Sequence, residues 1–341
     1  MALSKQRSCT TGLHGWLLLG LVVLIQMGCQ PQPADEELGQ TNPADPIGWS
    51  DAEWTQDILS WRSKRVARLM APDGYLALSG LDFLEQGEWR VGSDSTLDVK
   101  MPVGPSQWGL LVLTEDQAWF KPAEGEGVVV EYPHPQQESP PLEGAIRLVV
   151  SGSGLEPSRI GVGETHFYMA VRKGDWVVRT RDPNSEARQG FVGLDYYPLD
   201  RDYQVVGHFE PHPEGTTIPT ATVLGELLDE PNPGRVVFQL GGQSLALEAI
   251  ESESGDQFFF ILADRTSGPE TYGLGRFLYS DLPSASGEVV LDFNKAYNPP
   301  CAFNAFTTCP LPPPENRLDT HIRAGELKYR GKPGQDPDQL P

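Results

Sequence analysis

The sequence predicts a mainly β protein. Antiparallel sandwich- or barrel-like β units follow one N-terminal helix, and a long proline-rich loop segment lies towards the C-terminus. Three observations carry this prediction. The chain has 36 Gly and 31 Pro in 341 residues, about a fifth of the chain against about 12% in average usage. A helical bundle has no place for so many of either. Short apolar or alternating runs recur about every ten residues, with Pro, Gly, Asp or Ser between them, the spacing of a sandwich or barrel rather than of βαβ units. Only one segment combines a capping box with long helical periodicity. The formal net charge of -21 adds an exclusion. So acidic a chain repels phosphate backbones, which argues against nucleic acid as a partner.

Residues 1–28 read as an export signal outside the fold. Lys5 and Arg7 form a basic start, and residues 16–25 an apolar run shorter than the roughly 20 residues a spanning helix needs. The run ends in Met27-Gly28-Cys29, which resembles a bacterial lipoprotein signal with Cys29 as the lipidated residue. Gln26 stands where that signal usually has an aliphatic residue, and the alternative is an ordinary signal peptide cut nearby. Gln30, rather than Asp, after the cysteine favours the outer membrane. Losing residues 1–28 removes Lys5 and Arg7 and no acid. Membrane attachment of the still more acidic remainder would therefore rest on the lipid alone. Residues 29–49, rich in Pro, Asp and Glu, read as a disordered tether.

The helix opens at Ser50-Asp51-Ala52-Glu53, a capping box. Trp54, Ile58, Trp61 and Leu69 follow at helical spacing, and Pro72-Asp73-Gly74 stops it. Arg62, Lys64, Arg65 and Arg68 towards its end suit the helix dipole and read as a solvated basic face or a ligand patch. Strands are then expected over residues 75–78, 109–113, 118–120, 128–132 and 145–150. A hairpin is expected over residues 167–181, turning at Arg172-Lys173-Gly174. Further strands are expected over 203–210, 218–224, 235–240, 244–250, 257–263 and 288–292, with Gly241-Gly242 as a two-residue turn. This divides the chain into a helix and first β unit over 50–182, a second β unit over 183–330, and a disordered tail over 331–341. Walker loops, His-Glu-x-x-His, Cys-x-x-Cys and Gly-x-Ser-x-Gly are all absent, which removes the commonest catalytic signatures.

The densest polar stretch runs from Asp264 to Glu326. It contains Asp264-Arg265-Thr266, Tyr272, Arg276, then Asp292, Asn294, Tyr297-Asn298-Pro299-Pro300-Cys301, and Cys309-Pro310 followed by Glu315-Asn316-Arg317-Leu318. Together with residues 61–84 and Arg179-Thr180-Arg181-Asp182, this block resembles the bacterial family called domain of unknown function 1684, over most of residues 50–330. The resemblance implies no activity. A further stretch, Gly92-Ser93-Asp94 to Pro102, is similar to the start of a forkhead-associated sandwich. The phosphothreonine-reading residues of that fold have no counterpart near Ser106, so this likeness bears on fold alone.

Loops that gather Asp, Arg, Asn, Tyr and Glu usually bind something. The alternative is that these side chains satisfy the backbone of a loop without sheet partners. The expected ligand contacts are Asp264, Arg265, Thr266, Tyr272, Arg276, Asp292, Asn294, Tyr297, Asn298, Glu315, Asn316 and Arg317. Arg265, Arg276 and Arg317 suit a carboxylate or phosphate. Cys301 and Cys309 are expected to form a disulfide in an exported chain. A metal site with His321, or a Cys301 nucleophile with His321 as base, are the alternatives. His166, His208 and His212 read as surface residues, because Pro211 and Pro213 rule out a helical His208–His212 pair. No cofactor is expected. The functional expectation is a cell-envelope lipoprotein that binds a small polar or anionic ligand or an envelope protein through this block. The alternatives are an envelope hydrolase using paired carboxylates among Asp264, Asp292, Glu315 and Glu326, and a spacer in which the block lids the β core.

Overall fold

A computed structural model describes residues 48–125, 127–131, 144–252 and 254–332. The expected signal, Cys29 and nearly all of the expected tether lie outside the described residues, as does most of the tail. No helix among the described residues is long and apolar enough to cross a membrane.

The capping box forms as expected. Ser50 caps helix α1 (Asp51–Met70), accepting from the Glu53 amide, while the Glu53 carboxylate accepts from the Ser50 amide at 2.9 Å. Trp54, Ile58 and Leu69 are buried along one stripe, and so is Arg65. The basic end of the helix is therefore not wholly a solvated face, and the reason lies in the candidate site below. Residues 75–78, expected as a strand, instead make a 3-10 turn over Tyr75–Ala77 before the first strand starts. Arrest at Pro72-Asp73-Gly74 leaves too little length for the chain to extend before it must enter the sheet.

The first β unit is a sandwich of two five-stranded sheets. Its strands are β1 (Leu78–Leu84), β2 (Gly87–Gly92), β3 (Val99–Lys100), β4 (Gly109–Leu113), β5 (Ala118–Pro122), β6 (Val129–Glu131), β7 (Ile146–Arg147), β8 (Arg159–Val162), β9 (Thr165–Arg172) and β10 (Asp175–Arg181). One sheet has the order β1-β10-β9-β8-β6, the other β3-β2-β4-β5-β7. Alternation puts Phe167 and Met169 of β9 and Trp176 and Val178 of β10 inward, against Trp108, Leu111 and Phe120, as a half-buried sheet requires. The β9–β10 turn holds Lys173 and Gly174 at positive φ, the twist that a two-residue hairpin needs.

The second unit contains β11 (Gln204–Pro211), β12 (Thr217–Ala221), β13 (Leu227–Pro231), β14 (Gly234–Leu240), β15 (Gln243–Glu251), β16 (Gln257–Leu262), β17 (Arg276–Asp281) and β18 (Glu288–Asp292). Six of them form one sheet, ordered β17-β16-β15-β14-β11-β18, and its end strands approach each other, so the sheet is nearly a closed barrel. Val236, Phe238, Leu247, Phe260, Leu278 and Leu291 fill it. Strands β12 and β13 form a separate hairpin. A four-residue helix, α2 (Glu186–Gln189), lies in the connection between the units. Residues 276–281, read from sequence as part of the polar loop, are strand β17.

The C-terminal block clothes this barrel. Its stretches pair through the backbone with sheet strands or the residues just past them: Tyr297 with Phe277 of β17 in both directions, Leu318 with Ala263 after β16, and Cys309 with Val223 after β12. Two glycines make the close approach possible. A Cβ on Gly275 (φ 94°) would lie 2.5 Å from the Pro312 ring, and one on Gly325 (φ 81°) 2.3 Å from the Ala296 carbonyl oxygen. Both φ values also belong to the left-handed region that favours glycine.

Candidate functional site

Seven of the twelve predicted contact residues, Asp264, Thr266, Arg276, Asp292, Asn294, Tyr297 and Asn298, fall into three buried clusters. The first joins α1 to the chain's last turns. Arg65 Nε donates to Glu326 Oε1 at 3.1 Å and its Nη2 to the Asn298 carbonyl at 2.8 Å. Glu326 Oε2 accepts from the Asn298 amide at 2.9 Å, and Asn298 Nδ2 donates to the Leu327 carbonyl at 2.8 Å. The Arg65 guanidinium also lies 4.5 Å from the Tyr297 ring centre, a cation–π contact. Burial pushes the Glu326 carboxyl above its ordinary value, opposed by Arg65. Burial likewise pushes the Tyr297 phenol up.

The second cluster is the ion pair of Asp264 and Arg276, with both side chains buried. Arg276 also donates to the carbonyls of Ile322, at 3.0 Å, and Ala324. Asp264 accepts from the Ile322 amide and from Thr266 Oγ1. Burial presses the Arg276 guanidinium below its ordinary value, and Asp264 opposes the shift. In the third cluster Asp292 accepts from Trp54 Nε1 at 2.7 Å and from the amide and side chain of Asn294. Asn294 then bonds the backbone of Asp200.

These clusters leave no free carboxylate pair. Asp264 and Glu326 are each held by a buried arginine, Asp292 by Trp54 and Asn294, and Glu315 lies exposed on a 3-10 turn. Among the other predicted contacts, Asn316 clips both the amide and the carbonyl of Glu248. Tyr272 is buried in the core beside the block. Arg265 and Arg317 are exposed, the first paired with Asp319 and the second donating to the Pro312 carbonyl. The block thus spends most of its polar side chains on its own backbone and on α1.

Cys301 and Cys309 form a disulfide with 6.1 Å between Cα atoms, within the usual range. This replaces the metal and nucleophile alternatives, and His321 is exposed. Among the described residues, no group of three or more His, Cys, Asp or Glu side chains is placed to hold a metal ion. His212, expected to be a plain surface residue, contacts Glu248 at 2.8 Å.

Sequence reasoning passed over the polar groups that remain available. The loop closed by the disulfide leans on the outer face of the β1-β10-β9 sheet. Asn304 Nδ2 donates to the carbonyls of Tyr75 and Leu78. Thr308 Oγ1 accepts from Arg172 and, at 3.2 Å, from Arg179. Arg179 and Arg181 sit two residues apart on β10 and so share that outer face. Arg181 lies 5.7 Å from the Tyr168 ring centre and donates to the Gly74 carbonyl. Among the described residues neither Arg179 nor Arg181 has a carboxylate partner, whereas Arg172 pairs with Glu226 at 2.6 Å. Burial holds the Arg179 guanidinium below its ordinary value, and the neighbouring Arg172 and Arg181 push the same way. The signal in the sequence was the alternation Arg179-Thr180-Arg181 on a strand whose other residues are mostly apolar.

No curated protein matches the chain. A solved structure, the solution NMR structure of an uncharacterized protein of Haloarcula marismortui, is 32% identical over 41% of this chain and 78% of that one, with a TM-score of 0.34. Residues 189–327, which hold the barrel and the whole of the block, match the family model described as "Protein of unknown function (DUF1684)", and the chain therefore carries a domain of that family.

Proposed function

We propose that the chain is an exported, lipid-anchored protein of the bacterial cell envelope that binds a small anionic or polar ligand. The ligand would sit where the disulfide-closed loop meets the sandwich, not within the buried clusters of the block. The observation that carries this reading is Arg179, a half-buried guanidinium whose hydrogen bond goes to a loop hydroxyl and which no described carboxylate neutralises. In a chain with a formal charge of -21, acids to pair with are plentiful. A half-buried cation left without one suits an anion from outside. The basic start, apolar run and Cys29 support export and lipidation, and the acidic, proline-bearing stretch after Cys29 suits a tether. Two experiments test the reading. Cys29→Ser should release the protein from the membrane fraction, and retention there would remove the anchor. A thermal-shift screen of small anions should find a stabilising ligand whose effect disappears in folded Arg179→Ala, because a ligand that binds only the native state raises its stability. A ligand effect unchanged in that variant would place the site elsewhere.

A further inference from the structure

We propose that the arginine face takes a soluble phosphate monoester, and that Glu226 occupies Arg172 as an internal stand-in until the ligand displaces it. This rests on the reading that the ligand sits on this face. The argument starts from Thr308 Oγ1, which accepts from both Arg172 and Arg179. That oxygen marks a point where guanidinium groups from two neighbouring strands converge on one acceptor. Glu226 Oε2, bound to Arg172 Nε, marks a second acceptor position beside it. Arg181 supplies a third guanidinium from the same face, 5.7 Å from the Tyr168 ring centre.

A planar carboxylate is satisfied by a single guanidinium fork, whereas a tetrahedral group with several oxygens accepts from donors arriving along different directions. Charge agrees with that choice. Three arginines less one glutamate leave about two positive charges, and a phosphate monoester carries about -1.5 to -2 at neutral pH. His166, opposite Arg181 in the β9–β10 ladder, is held below its ordinary value by burial first, with Arg159 and Arg181 adding to the effect. The face therefore resists gaining a further cation of its own. The acidity of the whole chain disfavours polyanions and anionic bilayers, which favours a small ligand in free solution.

Glu226 comes from the turn between β12 and β13, where its carbonyl accepts from the Thr222 amide. Its carboxylate also accepts from Thr222 Oγ1 at 3.3 Å. It can thus keep one partner after giving up Arg172, so displacement would not strand a buried charge.

The test is isothermal titration of the purified chain with glycerol phosphate and with inorganic phosphate. Acetate and succinate serve as planar controls, and phosphatidic acid vesicles as the membrane control. Phosphate compounds should bind and the carboxylates should not. Glu226→Gln should tighten binding severalfold, and Arg179→Ala should weaken it by about tenfold or more, the scale of one charge-assisted hydrogen bond. Arg179→Lys keeps the charge if the alanine variant fails to fold, and it should weaken binding through loss of the fork. Carboxylate binding that depends on Arg179, without phosphate binding, would overturn the phosphate assignment and keep the face as the site. Binding to vesicles alone would overturn the soluble ligand. Phosphate affinity unchanged in both Arg179 variants, or no anion bound even by Glu226→Gln, would overturn the site itself.

Discussion

Arg65 and Glu326 are 261 positions apart in the chain, yet they bury together with almost no solvent on either side chain. Such a pair gains little net stability over an apolar one, but removing one partner strands the other. Glu326→Ala is therefore expected to cost about 3–5 kcal/mol in urea denaturation. Pairing it with Arg65→Met should recover much of that loss. If the single variant unfolds at the same urea concentration as the wild type, the pair is not the tie described. The two surface-to-core extremes of carboxylate behaviour also predict opposite pH effects. Burial raises Glu326 in the folded state, so its favourable contribution is full below the ordinary glutamate range and declines as pH rises through the folded value. Glu270 is the reverse case. The Arg323 hydrogen bond, followed by that from Tyr197, lowers it from an ordinary 4.5 to about 2. Its contribution is present above 4.5 and is lost as pH falls towards 2. Carboxyl NMR titration should find Glu270 near that low value, and Arg323→Ala should return it towards the ordinary range. A Glu270 titration unaffected by the substitution would reject Arg323 as the main cause.

Elements defined by local chemistry could be read from the residues, and elements defined by distant partners could not. Helix α1 announced itself through Ser50 and Glu53. The β9–β10 hairpin did so through alternation around a Lys173-Gly174 turn. Strand β17 did not, because Arg276 at its head looked like loop polarity and only the barrel interior shows why it is buried. Tyr75 to Ala77 had the composition of a strand but turns tightly between the helix stop and β1. The block is the extreme case. Outside β17 and β18 it has little regular structure, and the order of its other stretches comes from pairing with β16, β17 and α1, contacts that periodicity cannot report. Its fit is tight enough to test with one methyl group. Gly325→Ala would place a Cβ against the Ala296 carbonyl at a positive φ, so it should destabilise by more than the roughly 1 kcal/mol usual for point substitutions. A loss no greater than that at Gly193, which has a similar φ but nothing within 4 Å of an added Cβ, would contradict the packing described. Reducing Cys301–Cys309 should cost about 2–3 kcal/mol on the loop-entropy account of so short a loop, seen as a lower melting temperature in dithiothreitol.

Across the whole molecule, the polar block was legible in the sequence, and so were the two uses its side chains could have, but not which of them each residue serves. Residue types that bind ligands are the same types that satisfy irregular backbone, and only burial separates the two uses. Asn294, Asn298 and Asn316 bond to backbone groups, while the available cations, Arg179 and Arg181, sit outside the block, where the Arg179-Thr180-Arg181 alternation was their one signal. The block also ties distant elements together. Arg65 ties α1 to the chain's last turns. Asn304 ties the disulfide loop to the carbonyls of Tyr75 and Leu78 at the entrance to the sandwich. The Asn304 tie crosses between sandwich and barrel, so unfolding one should release contacts of the other. Calorimetry of the oxidised chain is thus expected to give a single cooperative transition. Asn304→Ala in dithiothreitol removes both the amide clip and the covalent closure that presents it. The sandwich and barrel have separate hydrophobic cores, so weakening this tie should let their melting separate, and a broader or split transition is expected. Two transitions in the untreated wild type would mean that the units never depended on this loop. An equally sharp single transition in the reduced variant would assign the coupling to the remaining ties, those of Arg172 with Glu226, of Thr308 with Arg172 and Arg179, and of α1.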